Sequence, residues 1–561
     1  MKPPGSGPRD GARPAARIGL DRGIARLFYA VCLAVFLWGA WERVAVQNVY
    51  QRETIQTIMD KPVPSVWERF ARPFHATYYP PLHDWIVLTA ALIVGDDPTR
   101  VTRALWVVPI VCSMLIALYY RALGRPRTGW FAAGIYLLLP CAWNAAVFPS
   151  RDATPAVFVA AAFLFQEIAW RRRSGVCDVA AGVALGSGML AKWTFSLFAA
   201  PWAILQATAA GANPRGAGLW RRVSKLARVS IAFLAVTVPW YGHLRWNGLL
   251  STVGNDPGPR IWGANRLFFG CVVRNLLAAD GDPRPLLAIL GLLAILAIDR
   301  RKNDPEARGP AFLAAAVVLP MTGALFLPHL ESRYLAPLAV AVLLAPAFAR
   351  SRAARAAMTL FLLAMFVSAT WFNVVPELRR VRAIRADPAH GAAEWYDPAA
   401  AQAEAWFASV APKDPDLRRG ILIHPMYQTG GLRVEGTLPV ILFRVARIPV
   451  DPWGQTYYAE LVERLRNRQI ISYILTNCGD REDCVARNRA AYDEAIHSNP
   501  GGYMQPGSGE RNKPVAAEPL GADWPYLVRD FDLCASATIS KDTWYLWKRK
   551  LAPPEIGRGG S

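Results

Sequence analysis

Long apolar runs, separated by short arginine-rich or proline-containing breaks, dominate the first two thirds of the chain. Runs of roughly 15–22 residues can cross a bilayer at 1.5 Å per residue with help from their flanks. They fall at about 27–41, 101–120, 129–148, 153–170, 177–191, 194–209, 227–242, 284–298, 310–328, 334–349 and 355–374. The pattern predicts about 11 transmembrane helices. A shorter run at 85–95 follows Pro80 and Pro81, which lack backbone donors and disturb a helix at that depth. It is expected as a juxtamembrane or re-entrant helix, beside irregular backbone that needs protein or a wet cavity around it.

After about residue 375 the pattern changes. "GILIHPMY", "LPVILFRVARIPV" and "IISYILTN" are short β-rich runs, and "YYAELVERLRNRQ" has helical amphipathicity. The fold class expected is therefore a polytopic α-helical membrane protein with a C-terminal soluble α/β domain. Its parts are a disordered cytoplasmic segment at 1–26, a membrane domain at 27–374 with an outer loop at 42–100, and an extracytoplasmic domain at 375–561. "LFYAVCLAVFLWGA" lacks a small-residue cleavage site before the next polar stretch, so it reads as an uncleaved first span.

Composition agrees: 53% of residues are hydrophobic, 19% are charged, and mean hydropathy is +0.18. A formal net charge of +21 would ordinarily point to nucleic acid. Here the excess sits in short loops between apolar runs, as the positive-inside rule predicts, and no nucleic-acid partner is expected. Arg121/Arg125/Arg127, Arg171-Arg172-Arg173, Arg221/Arg222/Lys225/Arg228, Arg300-Arg301-Lys302 and Arg350/Arg352/Arg355 share one side with the amino terminus. That side reads as cytoplasmic. The 42–100 loop, Ser150-Arg151-Asp152, the turn from His329 to Arg333, the 243–283 loop and everything after about 375 then face outward. Cys32, Cys112, Cys141 and Cys177 lie in or beside spans, where cysteine is a small hydrophobe. Cys271, Cys478, Cys484 and Cys534 lie outside, where Cys478 and Cys484 could pair.

No Walker loop, HExxH motif or dinucleotide fingerprint is present. The candidate chemistry is instead a set of ionisable groups at outer span ends, where burial beside lipid is costly. Glu42 stands where the first span emerges and also fits a plain interface marker. Asp152, in "SRDATP", suits a helix N-cap, a role compatible with chemistry. Lys192, ending "GSGMLAKW", could equally snorkel to headgroups. His329, Glu331 and Arg333 crowd a single turn in "PHLESRY".

An acidic residue after span one, "PPL" later in that loop, Arg-Asp after the third span, "LAKW" closing a glycine-rich span and "ESRYLAPLA" near the last spans occur in this order. Over about 27–375 the chain resembles the C-type membrane glycosyltransferases, relatives of protein O-mannosyltransferases and the lipid A aminoarabinose transferase. The resemblance implies an inverting glycosyltransferase that takes a sugar from a polyprenyl-phosphate donor to an acceptor (lipid, glycan or protein) on the outer face. The family's second acid falls on Asp152 and its late arginine on Arg333. Tyr79 precedes the double proline where some members carry a base, and His83 follows it. The usual Asp-Glu pair after span one is Trp41-Glu42 here, which makes Glu42 the first-loop acid, with Glu53 and Asp60 as alternatives. Lys192, His329 and Glu331 complete the expected substrate and phosphate contacts. No cofactor is required, and a divalent metal is possible but not indicated. The expected partners are the polyprenyl-phosphate-linked sugar, its acceptor and membrane lipids, in a bacterial inner or plasma membrane. A polytopic transporter or flippase of a lipid-linked or polar substrate is the alternative, as is a non-catalytic glycosyltransferase-like scaffold.

Overall fold

The computed structural model describes residues 13–50, 80–151, 153–192, 218–246, 336–393, 395–413, 421–423, 473–476, 531–539 and 542–550, with a few isolated positions such as Phe195, Asp299 and Leu417. The first helix, α1, runs Arg13–Val46. Residues 13–26, expected to be disordered, are therefore helical; Ala, Arg, Leu and Ile are good enough helix formers to extend the apolar span backward. Glu42 likewise lies within α1, not in a loop.

Next come α2 (Leu82–Val94), α3 (Pro98–Ala104), α4 (Val107–Ala122), α5 (Pro126–Leu138), α6 (Pro140–Ala145), α7 (Thr154–Arg172), α8 (Gly175–Ala191) and α9 (Gly218–Trp246). Toward the end of the membrane part, α10 (Ala336–Leu344) tightens into a 3₁₀ turn at Ala345–Phe348. Then α11 (Arg352–Ala369) passes through a π turn at Thr370–Val374 into α12 (Val375–Ala386). Local chemistry sets several starts. Asp97, Ser174 and Ser351 each accept a backbone N–H from the first turn of the helix they cap. The run expected as one span at 129–148 is two helices, because Leu139 precedes Pro140 and takes an extended conformation (ψ 148°).

Among the described residues, four stretches are long and apolar enough to cross a membrane: Gly23–Val46, Pro98–Ala122, Val223–Trp246 and Arg352–Ala386. The protein is an integral membrane protein. The runs near 194–209, 284–298 and 310–328 fall largely or wholly outside the described residues.

Burial on α1 shows how the sequence pattern becomes packing. Ala25, Tyr29, Cys32, Phe36, Ala40 and Val44, three or four residues apart, are buried, while Ile24, Leu27, Val31 and Trp38 are exposed apolar side chains. A lipid-facing surface explains that exposure; water does not. Between α8 and α9 the approach depends on glycine: a Cβ at Gly186 would come within 2.8 Å of the Val236 Cβ.

Contacts sort the helix ends into two groups. At one end Tyr120 donates to the Leu343 carbonyl (2.6 Å), Arg125 to the Ala349 carbonyl (2.5 Å), and Asp299 accepts from the Arg350 and Ser351 amides. Asp178 pairs there with Arg228 at 2.8 Å. These are the arginine-rich connections. The opposite end holds the turn before α2, the 146–151 segment, the end of α1 and α12.

The last third contributes α13 (Pro398–Val410) and strands β1 (Ile421–Ile423), β2 (Tyr473–Thr476), β3 (Phe531–Ile539) and β4 (Asp542–Arg549). Sheet order is β1-β2-β4-β3, with β1 and β2 parallel and the other pairs antiparallel. Ala400, Ala403 and Phe407 of α13 pack on Tyr473, Leu475, Trp544 and Leu546. Tyr50, four residues past α1, joins the same core. Asn48 binds the backbone of Asp397 in both directions at 2.8 Å, and the amides of Asn48 and Val49 donate to the Trp395 carbonyl. The sheet unit is thereby tied to the end of α1.

Candidate functional site

The double-proline turn sets the geometry at the start of α2. Pro81 occupies the N-cap position of that helix, in helical conformation, and its carbonyl accepts from Trp85 N–H at 3.0 Å. His83 and Asp84 thus fall in the first turn, both buried. An acidic side chain there is favoured by the positive end of the helix dipole. Burial requires more, and Arg151 supplies it. Its guanidinium donates from Nε (3.2 Å) and Nη2 (2.9 Å) to Asp84 Oδ1 and from Nη2 (2.8 Å) to Oδ2. Both side chains are under a tenth exposed.

A second link runs parallel to the first. His83 Nδ1 lies 2.9 Å from the Thr154 hydroxyl, which itself reaches the Ser150 carbonyl. If the hydroxyl donates to that carbonyl, Nδ1 carries the proton and donates to the hydroxyl. Two consecutive residues of α2 therefore grip both flanks of the 151–154 segment.

Lys192 lies at the end of α8. It is the C-cap of α8; its amide donates to Gly188 and its carbonyl accepts from Phe195 N–H at 3.0 Å. Its side chain is buried (5% exposed), which disfavours snorkelling into headgroups. Leu190, two residues earlier, packs with Trp240 and Leu244 of α9 and against Leu82 at the start of α2. The start of α2 thus joins Arg151 and Thr154 through His83 and Asp84, and the end of α8 through Leu82.

The support beneath comes from α1. Gly39 lets Trp143 pack directly on the helix, and Arg43 stacks 4.4 Å over that indole while donating to the Trp143 carbonyl at 2.6 Å. Gln47 and the Trp106 indole hold the carbonyls of Val147 and Ala146 at 2.9 and 2.8 Å. These carbonyl contacts, all made between Trp143 and Val147, define the path of the chain just before Arg151. Glu42, on a neighbouring face of α1, pairs with Arg385 of α12 at 2.6 Å.

Of the residues singled out in the sequence, the structure links His83 to Thr154, buries Lys192 at the end of α8, and pairs Glu42 with α12. Tyr79, Glu53, Asp60, Asp152, His329, Glu331 and Arg333 lie outside the described residues. The N-cap position of α7 is Ala153, without a capping side chain; the capping expected of Asp152 falls outside the described residues. The guanidinium of Arg151 engages Asp84. Asp84 was missed altogether. The available signal was an aspartate at the head of an apolar run, three residues after the double proline.

These features are those of a polytopic membrane protein. Residues 78–243, which contain "PPLHD", "SRDATP" and "LAKW", match the family described as dolichyl-phosphate-mannose-protein mannosyltransferase. The fold is similar to that of ArnT from Cupriavidus metallidurans in the apo state, with a TM-score of 0.54 and 14% identity over 94% of this chain and 97% of that one. For ArnT from the same organism bound to undecaprenyl phosphate the TM-score is 0.51, with 16% identity over 93% and 98%. The Archaeoglobus fulgidus oligosaccharyltransferase is a more distant match, with a TM-score of 0.43 and 13% identity over 81% and 67%. No curated protein sequence matches the chain.

Proposed function

We propose that the protein is an inverting glycosyltransferase that moves a sugar from a polyprenyl-phosphate donor to an acceptor at the outer membrane surface. The observation that carries this reading is the buried junction of the α2 turn with Arg151 and Thr154, with Leu82 of the same turn packed against the cluster at the end of α8. The family match over 78–243 supports it, as does a shared fold with a protein that binds undecaprenyl phosphate.

In this reading the phosphate supplies the activation, so no nucleotide pocket and no cofactor is needed. The acceptor oxygen attacks the anomeric carbon as the carbon–oxygen bond to phosphate breaks. A carboxylate takes the acceptor proton. Asp152 and Glu42 are the proposed carboxylates, with Glu53 and Asp60 as substitutes for Glu42. The polyprenyl phosphate leaves against Lys192 and Arg333, with Tyr79, His83, His329 and Glu331 lining the donor. Attack opposite the leaving group inverts the anomeric configuration. The gathering of arginine-rich connections at one end supports a cytoplasmic amino terminus and an extracytoplasmic unit at 375–561. Residence in a bacterial inner or plasma membrane belongs to the same reading.

The test uses proteoliposomes loaded with radiolabelled polyprenyl-phosphate sugars. Label leaving the lipid for an acceptor, with inverted anomeric configuration, supports the proposal. Intact donor moved across the bilayer would mark a flippase. Unchanged donor on both leaflets, across a screen of sugars and acceptors, would leave a scaffold.

A further inference from the structure

The long helical rod from α11 to α12 carries an ordered sequence of chemistries along its outer face. Leu360, Leu363 and Val367 are more than half exposed, as apolar side chains facing hydrocarbon must be. Trp371 and Phe372 come next, also more than half exposed, in the π turn. Beyond them stand Arg379 and Arg382, both exposed. Tryptophan, an apolar body with a polar N–H, belongs at the boundary of the hydrocarbon. Seven residues of helix from Phe372 to Arg379 rise about 10 Å. That places the two guanidinium groups among or just above the phosphates of the same leaflet.

The other charges of α12 are already engaged. Arg380 pairs with Glu377, whose other oxygen accepts from the Trp395 indole at 2.7 Å, and Arg385 pairs with Glu42. Glu377, Val381 and Ile384 form the buried face. At 100° per residue, Arg379 and Arg382 point nearly opposite that face. Neither has a partner among the described residues. Asp387, just past the helix, is bonded to His390, which holds its carboxyl below the ordinary range. On the sidedness proposed above, this cluster stands on the side that the basic loops otherwise avoid. Membrane topology alone does not account for it.

We infer that Arg379 and Arg382 form a binding site for the phosphodiester headgroup of an anionic phospholipid in the surrounding leaflet. The forked guanidinium donors match phosphate oxygens, and the aromatic pair below positions the acyl chains. The face points away from the Glu377 and Glu42 side of the helix, and so away from the candidate donor cleft. The occupant is therefore bulk lipid, not the sugar donor.

The test is native mass spectrometry of the full chain, titrated separately with phosphatidylglycerol, phosphatidylcholine and undecaprenyl phosphate. Wild type should prefer phosphatidylglycerol to phosphatidylcholine. The doubly substituted R379Q/R382Q protein should lose that preference by roughly ten- to thirtyfold, from about 1 kcal/mol per arginine near an anionic surface. R379K/R382K should retain most of it, which guards against a fold defect. R121Q, at the opposite end, should change the binding no more than threefold. A preserved preference in R379Q/R382Q would overturn the site, as would a loss confined to undecaprenyl phosphate.

Discussion

Removing the Asp84 carboxylate exposes the cost that the buried pair conceals. Arg151 would keep its charge in a position where its side chain is only 7% exposed. Arg151 would lose all three of the contacts it donates to Asp84. Breaking one side of a buried pair costs about 3–5 kcal/mol, mostly the penalty of the charge left behind. Asp84→Ala should therefore lower unfolding free energy by that amount. Asp84→Asn should cost less, because its amide oxygen still accepts from the guanidinium. Asp84→Leu combined with Arg151→Met should recover most of the loss, since replacing both charges with apolar groups of similar volume is close to neutral. Equilibrium unfolding in mixed SDS micelles, followed by tryptophan fluorescence, measures each of these variants against wild type. Because Arg151 adjoins Asp152, the double variant should still transfer sugar poorly while being well folded. If Asp84→Ala unfolds within about 1 kcal/mol of wild type, the pair is not desolvated as described and the reasoning fails.

Other variants separate structure from chemistry. Glu42→Gln loses a half-exposed pair with Arg385, which should cost under about 1 kcal/mol of stability; transfer should nevertheless fall about 10²–10⁴-fold if the carboxylate accepts the proton, and unchanged turnover would shift that role to Glu53 or Asp60. Asp152→Asn should leave insertion and stability intact with a comparable loss of transfer; retained turnover would remove Asp152 from the reaction. Asn48→Ala breaks the reciprocal bond with Asp397 and should cost about 1–3 kcal/mol, read as faster limited proteolysis of the C-terminal unit; an unchanged digestion rate would deny the tie. Gly186→Val drives a branched side chain into Val236 and should destabilise by about 1–3 kcal/mol; a wild-type unfolding midpoint would mean that α8 and α9 are not in close contact.

Much of the membrane part was legible because its signals are local. Apolar periodicity located α1, α4, α7, α8 and α11, and the proline pair announced the short helix that proved to be α2. "ILI" and "YILT" were found as strands because β-branched and aromatic residues cluster there. The hairpin β3–β4 was missed; Asp532, Lys548 and Arg549 dilute its apolar pattern, and its pairing with β2 is fixed by contacts dozens of residues away. The site divides the same way. Lys192 and His83 could be named from motif order, but Asp84 becomes important only through Arg151, 67 residues later. Asn48 gains its role through Asp397, 349 residues on. Nothing in local sequence encodes such partners.

The central claim is that the meeting point of the α2 turn, the 150–154 segment and the end of α8 holds the lipid-phosphate donor. A polyprenyl phosphate carrying a photoactivatable group next to the phosphate, crosslinked to the full chain in proteoliposomes and mapped by peptide mass spectrometry, tests it directly. The account predicts labelling within residues 80–84, 149–154 or 190–192, and competition by unlabelled undecaprenyl phosphate. Competable labelling confined to other segments, with these three unmarked, would contradict it.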